Sequence, residues 1–409
     1  LYVAEDSLSV DKAEQTTVFA HPAARACVEA VKAHAVVIWS FLASRLMLLA
    51  IGLLTQIHIR PFTTVGNTLR LSQEQALNIW GAADTGWYLD IVLNGYQRAP
   101  GADGQANWAF FPALPTLAAG LVQATGLTPL QAMLAISNVS FFVALILTHR
   151  LARAEFDRKT ADLCVVLLCV APGSYIFSSA YTEALFLVCV TGGLLLLRSR
   201  RWLLVGLAAA AATLTRNLGV GLLLPYGLTA LERLISGFGT KSEARPSLAE
   251  LLRIGLGGLA PIAALVGFMA YLHARTGDAL AFFHVQSAWS RSLDAPFAGL
   301  LRGLAKPASI LDGDLVSFTV AWLAIGLLIV LATMRRWTLL SLALFLTLVP
   351  LATGLTSFAR YALVILPLWM ALAKVLADRP RAAMICVPVL AMLNGFMMVP
   401  WTLGLGFAS

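Results

Sequence analysis

Residues 315–334, LVSFTVAWLAIGLLIVLATM, carry no charged side chain and stop at Arg335 and Arg336. About 20 apolar residues of helix cross the hydrocarbon core of a bilayer. A basic pair at one end is how such a helix marks its cytoplasmic side. The same unit, an apolar run closed by arginines, recurs along most of the chain. Of 409 residues, 59% are hydrophobic and 12% charged, where a soluble domain carries about 25% charged. The chain therefore reads as one all-α integral membrane domain over residues 1–409, a polytopic bundle of helices that satisfy their own backbone polar groups.

The net charge of +8 does not point to nucleic acid, because the basic residues sit in short groups between apolar runs. Arg150, Arg153, Arg158 and Lys159 form one group, and Arg198, Arg200 and Arg201 another; Arg379 and Arg381 follow late in the chain. Cysteine suggests neither a disulfide framework nor a zinc site: Cys27, Cys164, Cys169, Cys189 and Cys386 show no paired spacing. The polar first thirty residues do not read as a cleavable signal, so the run at about 35–57 is expected to serve as the targeting segment.

Parity then orders the crossings. With residues 1–34 cytoplasmic and the first span running outward, the cluster at 150–159 must return inside, so only one crossing fits between. That crossing is 130–149, which leaves FFPALPTLAAGLVQATGL (110–127) as an interfacial or re-entrant helix held outside by Pro112 and Pro115. Further spans follow at 162–178, 181–197, 202–215, 218–231, 254–274, 315–334, 338–354, 359–377 and 382–400. This makes about eleven crossings, with every basic cluster inside and the C-terminus outside. Residues 232–253 form a cytoplasmic linker, and 58–129 and 275–313 are long external loops. The runs at 202–215 and 218–231 are short, as helices lining a cavity often are.

The first external loop holds ADTGWYLDIVLNGY, residues 83–96, where Asp84 and Asp90 stand among Trp80, Trp87, Tyr88 and Tyr96. Carboxylates and aromatics between apolar runs suit an active site at a membrane surface. The alternative class is a secondary transporter or lipid flippase, favoured by the short helices and by arginines inside spans. Transporters commonly carry internal repeats, which the two halves do not show, and they have no need of long polar loops.

In order along the chain come Asp84, Trp87-Tyr88, Gly95-Tyr96, Phe110-Phe111-Pro112, SAYTEALFL (179–187), LTRNLGV (214–220), GDALAFFHVQSAW (277–289) and SFARYALVILPLW (357–369). This succession resembles the PIG-V type of mannosyltransferases, multispan GT-C glycosyltransferases that use polyprenyl-phosphate sugars. The resemblance covers about 80–370; the chain departs from the pattern at Ala83, where the family has Trp, and at Asn217, where it has Pro. It implies a GT-C bundle and transfer of a hexose, expected to be mannose, with inversion from a polyprenyl-phosphate donor to a lipid-linked or glycan acceptor. With the Ala/Leu/Arg-rich composition, it implies a bacterial-type protein in the plasma membrane, its site on the external face.

Such a transfer needs a base for the acceptor hydroxyl, a pocket for the sugar and positive charge for the departing phosphate. Asp84 is the expected base, although Asp before Thr-Gly is also ordinary turn chemistry. Trp80, Trp87, Tyr88, Asp90, Glu183, His284, Gln286 and Trp289 are the expected sugar and acceptor contacts, with a structural role open for Asp90, Glu183 and the loop residues. Arg216 and Arg360, each beside a polar neighbour in Asn217 and Tyr361, are the expected lipid-phosphate ligands, since the planar guanidinium matches phosphate oxygens, with snorkelling to the interface the other reading of both. Arg45 and His149 read as intrabundle or interfacial polar residues, and Asp312-Gly313-Asp314 as a turn rather than a cation site. No metal or cofactor is expected; the partners are membrane lipid, donor and acceptor.

Overall fold

The computed structural model describes residues 34–60, 71–238, 244–289, 291, 293–306 and 315–405. Cys27, the rest of the N-terminal segment, residues 61–70, the middle of the 232–253 linker and the Asp312-Gly313-Asp314 turn lie outside them. Among the described residues every regular element is helical.

Helix α1 (Ala35–Leu54) continues as a π-helical turn to Ile59. The first loop carries α2 (Gln75–Asn78), α3 (Thr85–Asn94) and α4 (Ala113–Thr125), the last being the helix expected after Pro112. Then follow α5 (Pro129–Glu155), α6 (Arg158–Val170), α7 (Glu183–Arg198), α8 (Trp202–Thr215), α9 (Leu223–Phe238) and α10 (Leu248–Thr276). The second loop contributes α11 (Ala281–His284) and α12 (Ala298–Ala305), and the chain closes with α13 (Leu315–Thr333), α14 (Trp337–Leu351), α15 (Phe358–Leu363), α16 (Leu366–Ala377) and α17 (Pro380–Thr402).

Among the described residues, six helices are long and apolar enough to cross a membrane, at 35–59, 129–155, 217–237, 248–276, 315–333 and 380–402. The other runs expected to cross are helical where expected but shorter, so eleven full crossings are not established. Local chemistry explains the shortening. Pro172 holds Ala171 extended (φ −52, ψ 134), which ends α6 and passes the chain into a 3₁₀ turn at Ser174–Ser178. Pro367, at the start of α16, likewise divides the expected 359–377 span into α15 and α16.

Ion pairs gather the basic clusters at one end of the bundle. Glu155, closing α5, binds Arg198 at the end of α7 and lies 3.2 Å from Arg336 at the start of α14. Asp157 caps α6 through Thr160 and lies 3.3 Å from Lys374 on α16. Since α7 is 16 residues long, its first residue, Glu183, sits roughly 24 Å away along the axis at 1.5 Å per residue. Glu183 and the residues around it therefore occupy the opposite end.

Two packing features position that end. A Cβ on Gly206 of α8 would lie 2.3 Å from the carbonyl oxygen of Gly257 on α10, so glycine lets the two backbones touch and fixes where the end of α8, carrying Thr215 and Arg216, emerges. Arg45 of α1, 8% exposed, donates to the Ser174 carbonyl at 2.8 Å and the Ser178 hydroxyl at 3.1 Å and lies over the Phe141 ring. It ties α1 to the turn before α7, the intrabundle role its sequence position suggests. His149 pairs with Asp162 at 2.8 Å.

Candidate active site

The turn before α3 is strained and clamped. Ala83 has φ 45°, a left-handed conformation that a residue with a Cβ adopts at a cost. The buried Tyr181 hydroxyl spans it, accepting from the Asp84 N–H at 2.9 Å and donating to the Ala82 carbonyl at 3.2 Å. Asp84 stands at the N-cap of α3, yet its side chain makes no capping bond. Its Oδ2 instead accepts from Arg360 Nη1 at 2.6 Å, and among the described residues no hydrogen bond reaches Oδ1. Tyr181→Phe leaves the Asp84 N–H without its acceptor and is expected to lower stability by about 1–3 kcal/mol, read as a lowered thermal unfolding midpoint in detergent.

Arg360 enters from α15, which also begins at a left-handed residue, Ser357 (φ 63°). Behind it, Glu183 Oε1 lies 3.5 Å from Arg360 Nε and 2.5 Å from Arg216 Nη1. Side-chain exposures of 2% for Glu183, 8% for Arg360 and 11% for Arg216 put these charges out of water, where each depends on its partner. Among the described residues the second oxygen, Glu183 Oε2, is buried without a hydrogen-bond partner. Tyr361 packs against the cluster, the Arg216 guanidinium 4.7 Å from its ring centre.

These groups open onto a cavity of about 110 Å³ lined by Asp84, Tyr88, Tyr181, Glu183, Arg216, Asn217, Gln286, Trp289, Arg360 and Tyr361, with Phe110 and Phe282 as apolar walls. Trp87 stands behind the wall, stacked on Phe110 at 5.8 Å and edge-on to Trp289. The buried Tyr88 hydroxyl meets Thr182 at 3.3 Å. A carboxylate with one free oxygen, a second carboxylate with an orphan oxygen, guanidinium groups and aromatic faces together suit a polyhydroxylated, partly anionic ligand.

Four expected contacts do not line this cavity, Trp87 behind its wall among them. Asp90 accepts from Asn94 at 2.8 Å and from the buried Asn107 at 2.7 Å; it knits the loop at 95–108, one of the two roles its sequence left open. Trp80 packs into the bundle cores, and its carbonyl accepts from the Ala180 N–H at 3.3 Å. His284 is exposed and bonded to Asp278 at 2.7 Å, an interaction that, with the Leu280 N–H, holds the Asp278 carboxyl below its usual range. His284 lines a neighbouring cavity instead. Sequence reasoning missed Arg291, whose Nη1 donates to the Tyr361 hydroxyl at 2.9 Å; an arginine in a polar loop carries no signal until the loop is folded.

Among solved structures, the chain is similar to ArnT from Cupriavidus metallidurans bound to undecaprenyl phosphate, with 16% identity, a TM-score of 0.52, and 88% of this chain and 64% of that chain covered. It is also similar to the oligosaccharyltransferase of Archaeoglobus fulgidus in the apo form, with 12% identity, a TM-score of 0.48, and 90% and 56% covered. The likeness to ArnT shows a shared GT-C-type fold, and the chain spans less than two thirds of ArnT's length. No curated protein matches the chain. The family described as Mannosyltransferase (PIG-V) matches residues 36–276, more than half of the sequence. The chain belongs to the mannosyltransferase (PIG-V) family.

Proposed function

We propose that this membrane protein is an inverting glycosyltransferase that moves a hexose, with mannose the first candidate, from a polyprenyl-phosphate donor to a hydroxyl of a lipid-linked or glycan acceptor. The observation that carries the reading is the Asp84 carboxylate, held through one oxygen by Arg360 and leaving the other for a proton, in the lining of a cavity with aromatic walls. The acceptor oxygen bonds to the anomeric carbon as its proton passes to Asp84 Oδ1. The bond from that carbon to the phosphate oxygen breaks on the opposite side, and its electron pair leaves with the polyprenyl phosphate. Glu183 brings a second carboxylate to the cavity lining. The donor is itself the activated substrate, so no step is routed through a metal or cofactor.

The basic clusters gather at the end of the bundle remote from Glu183. Under the positive-inside pattern that end is cytoplasmic and the Asp84 cavity external, which in a bacterial cell is the outer face of the plasma membrane. The test is the purified protein in lipid, offered a panel of polyprenyl-phosphate sugars with candidate acceptors. Sugar-dependent consumption of one donor is the expected result; no consumption of any donor under conditions where the protein stays folded would reject the reading.

A further inference from the structure

Charge balance around the cavity separates its three arginines. Asp84 and Glu183 bring two negative charges, and Arg360 and Arg216 meet them at 2.6 and 2.5 Å. Arg291 is left with neutral partners among the described residues: the Tyr361 hydroxyl at 2.9 Å, the Gln286 side-chain oxygen at 3.5 Å and the face of the Tyr361 ring. The arginines that sequence singles out as phosphate ligands are thus already matched by carboxylates. The unmatched positive charge belongs to a residue it does not single out.

The position of Arg291 is as particular as its charge. A second cavity of about 580 Å³ adjoins the first and shares Asn217, Phe282, Gln286, Arg291 and Tyr361 with it. Beyond these shared residues its walls are mainly apolar, from Leu218, Phe283, Leu293, Val349 and Pro350. One chamber therefore offers carboxylates and aromatic faces, the other hydrocarbon walls, and Arg291 stands at their junction. A polyprenyl-phosphate sugar has the same three parts in the same order: a polyhydroxylated ring, a phosphate and a hydrocarbon chain.

Resting on the glycosyltransferase reading above, we propose that the donor lies across the two cavities, with its phosphate on Arg291, its sugar toward Asp84 and its first prenyl units in the second chamber. The bound donor is a phosphodiester with one negative charge, which balances Arg291, unmatched by a carboxylate among the described residues. When the bond to the anomeric carbon breaks, the departing phosphate monoester takes the electron pair and gains a second negative charge. Arg291 then meets more charge in the product than in the substrate, so it assists the step as well as binding. Arg360, engaged with Asp84, orients the base.

The experiment measures binding of a long-chain polyprenyl phosphate, and of the uncharged polyprenol, to the full-length protein in lipid nanodiscs. Hydrogen bonds to a charged group contribute about 1.5–3 kcal/mol, so Arg291→Gln is expected to weaken polyprenyl-phosphate binding by about ten- to a hundredfold, toward the affinity of the polyprenol, whose binding is unchanged. Arg291→Lys is expected to restore part of the loss, which a merely structural defect would not show. Equal affinity of Arg291→Gln and the wild type for polyprenyl phosphate overturns the assignment, even where the wild type transfers sugar. A wild type that prefers polyprenol, or binds neither lipid, overturns the glycosyltransferase reading and this inference together.

Discussion

Asp84→Asn is expected to lower sugar transfer by about 10²- to 10⁴-fold, the contribution of a positioned general base, while donor affinity stays within a few-fold. The asparagine keeps the shape of the side chain, and its carbonyl oxygen can still accept from Arg360, which now donates to Asp84 Oδ2 at 2.6 Å. It cannot take a proton. Single-turnover transfer by the folded variant, with donor and acceptor both bound, isolates the chemical step from binding. An unchanged single-turnover rate would remove Asp84 from the role of base. Asp84→Glu adds a sharper measure, because it retains the proton acceptor but moves it by about the length of one bond, and misplacement near 1 Å can cost about a hundredfold. An intermediate rate for Glu, between the wild type and Asn, is the expected order.

The segment that carries Asp84 is legible in the sequence for a physical reason. Residues 83–96 stand out because carboxylates and aromatics are scarce among apolar runs, and the helices follow from the same hydropathy. The SAYTEALFL signature was visible as an ordered motif, but its function was not. Tyr181 clamps the Ala83 turn and Glu183 anchors two arginines, and both acts depend on partners 33 to 177 positions away in the chain. The same limit explains Arg216 and Arg360. Their burial and charge could be anticipated from their places near span ends, whereas their neutralisation by carboxylates appears only when α7, α8, α15 and the first loop are packed together. Asp90 shows the converse case: six residues after Asp84 on one short helix, it faces the loop at 95–108, because six residues do not return a helix to the same face. Ala83, the departure from the family pattern, carries the strained backbone itself, so the difference falls on the residue whose conformation aims Asp84.

Glu183→Ala is expected to have the largest effect on stability. One carboxylate, 2% exposed, faces Arg216 at 2.5 Å and Arg360 at 3.5 Å, and removing one member of a buried ion pair typically costs about 3–5 kcal/mol, because the remaining charge stays out of water without its partner. Two arginines are affected here, though Asp84 still meets Arg360, so the uncompensated charge is chiefly that of Arg216. Glu183→Gln is expected to fail nearly as badly, since it restores the shape and a hydrogen-bond acceptor but no charge. The discriminating measurement is a double replacement: with Glu183→Met and Arg216→Met together, neither partner is left charged, and apolar side chains of similar size can be nearly neutral in such a site. Thermal unfolding in detergent should therefore place the double variant well above either single one, with a coupling between the two positions of about 0.5–3 kcal/mol. A Glu183→Ala protein as stable as the wild type would mean that the two arginines reach water in the folded state, and it would remove the charge balance on which the special position of Arg291 depends.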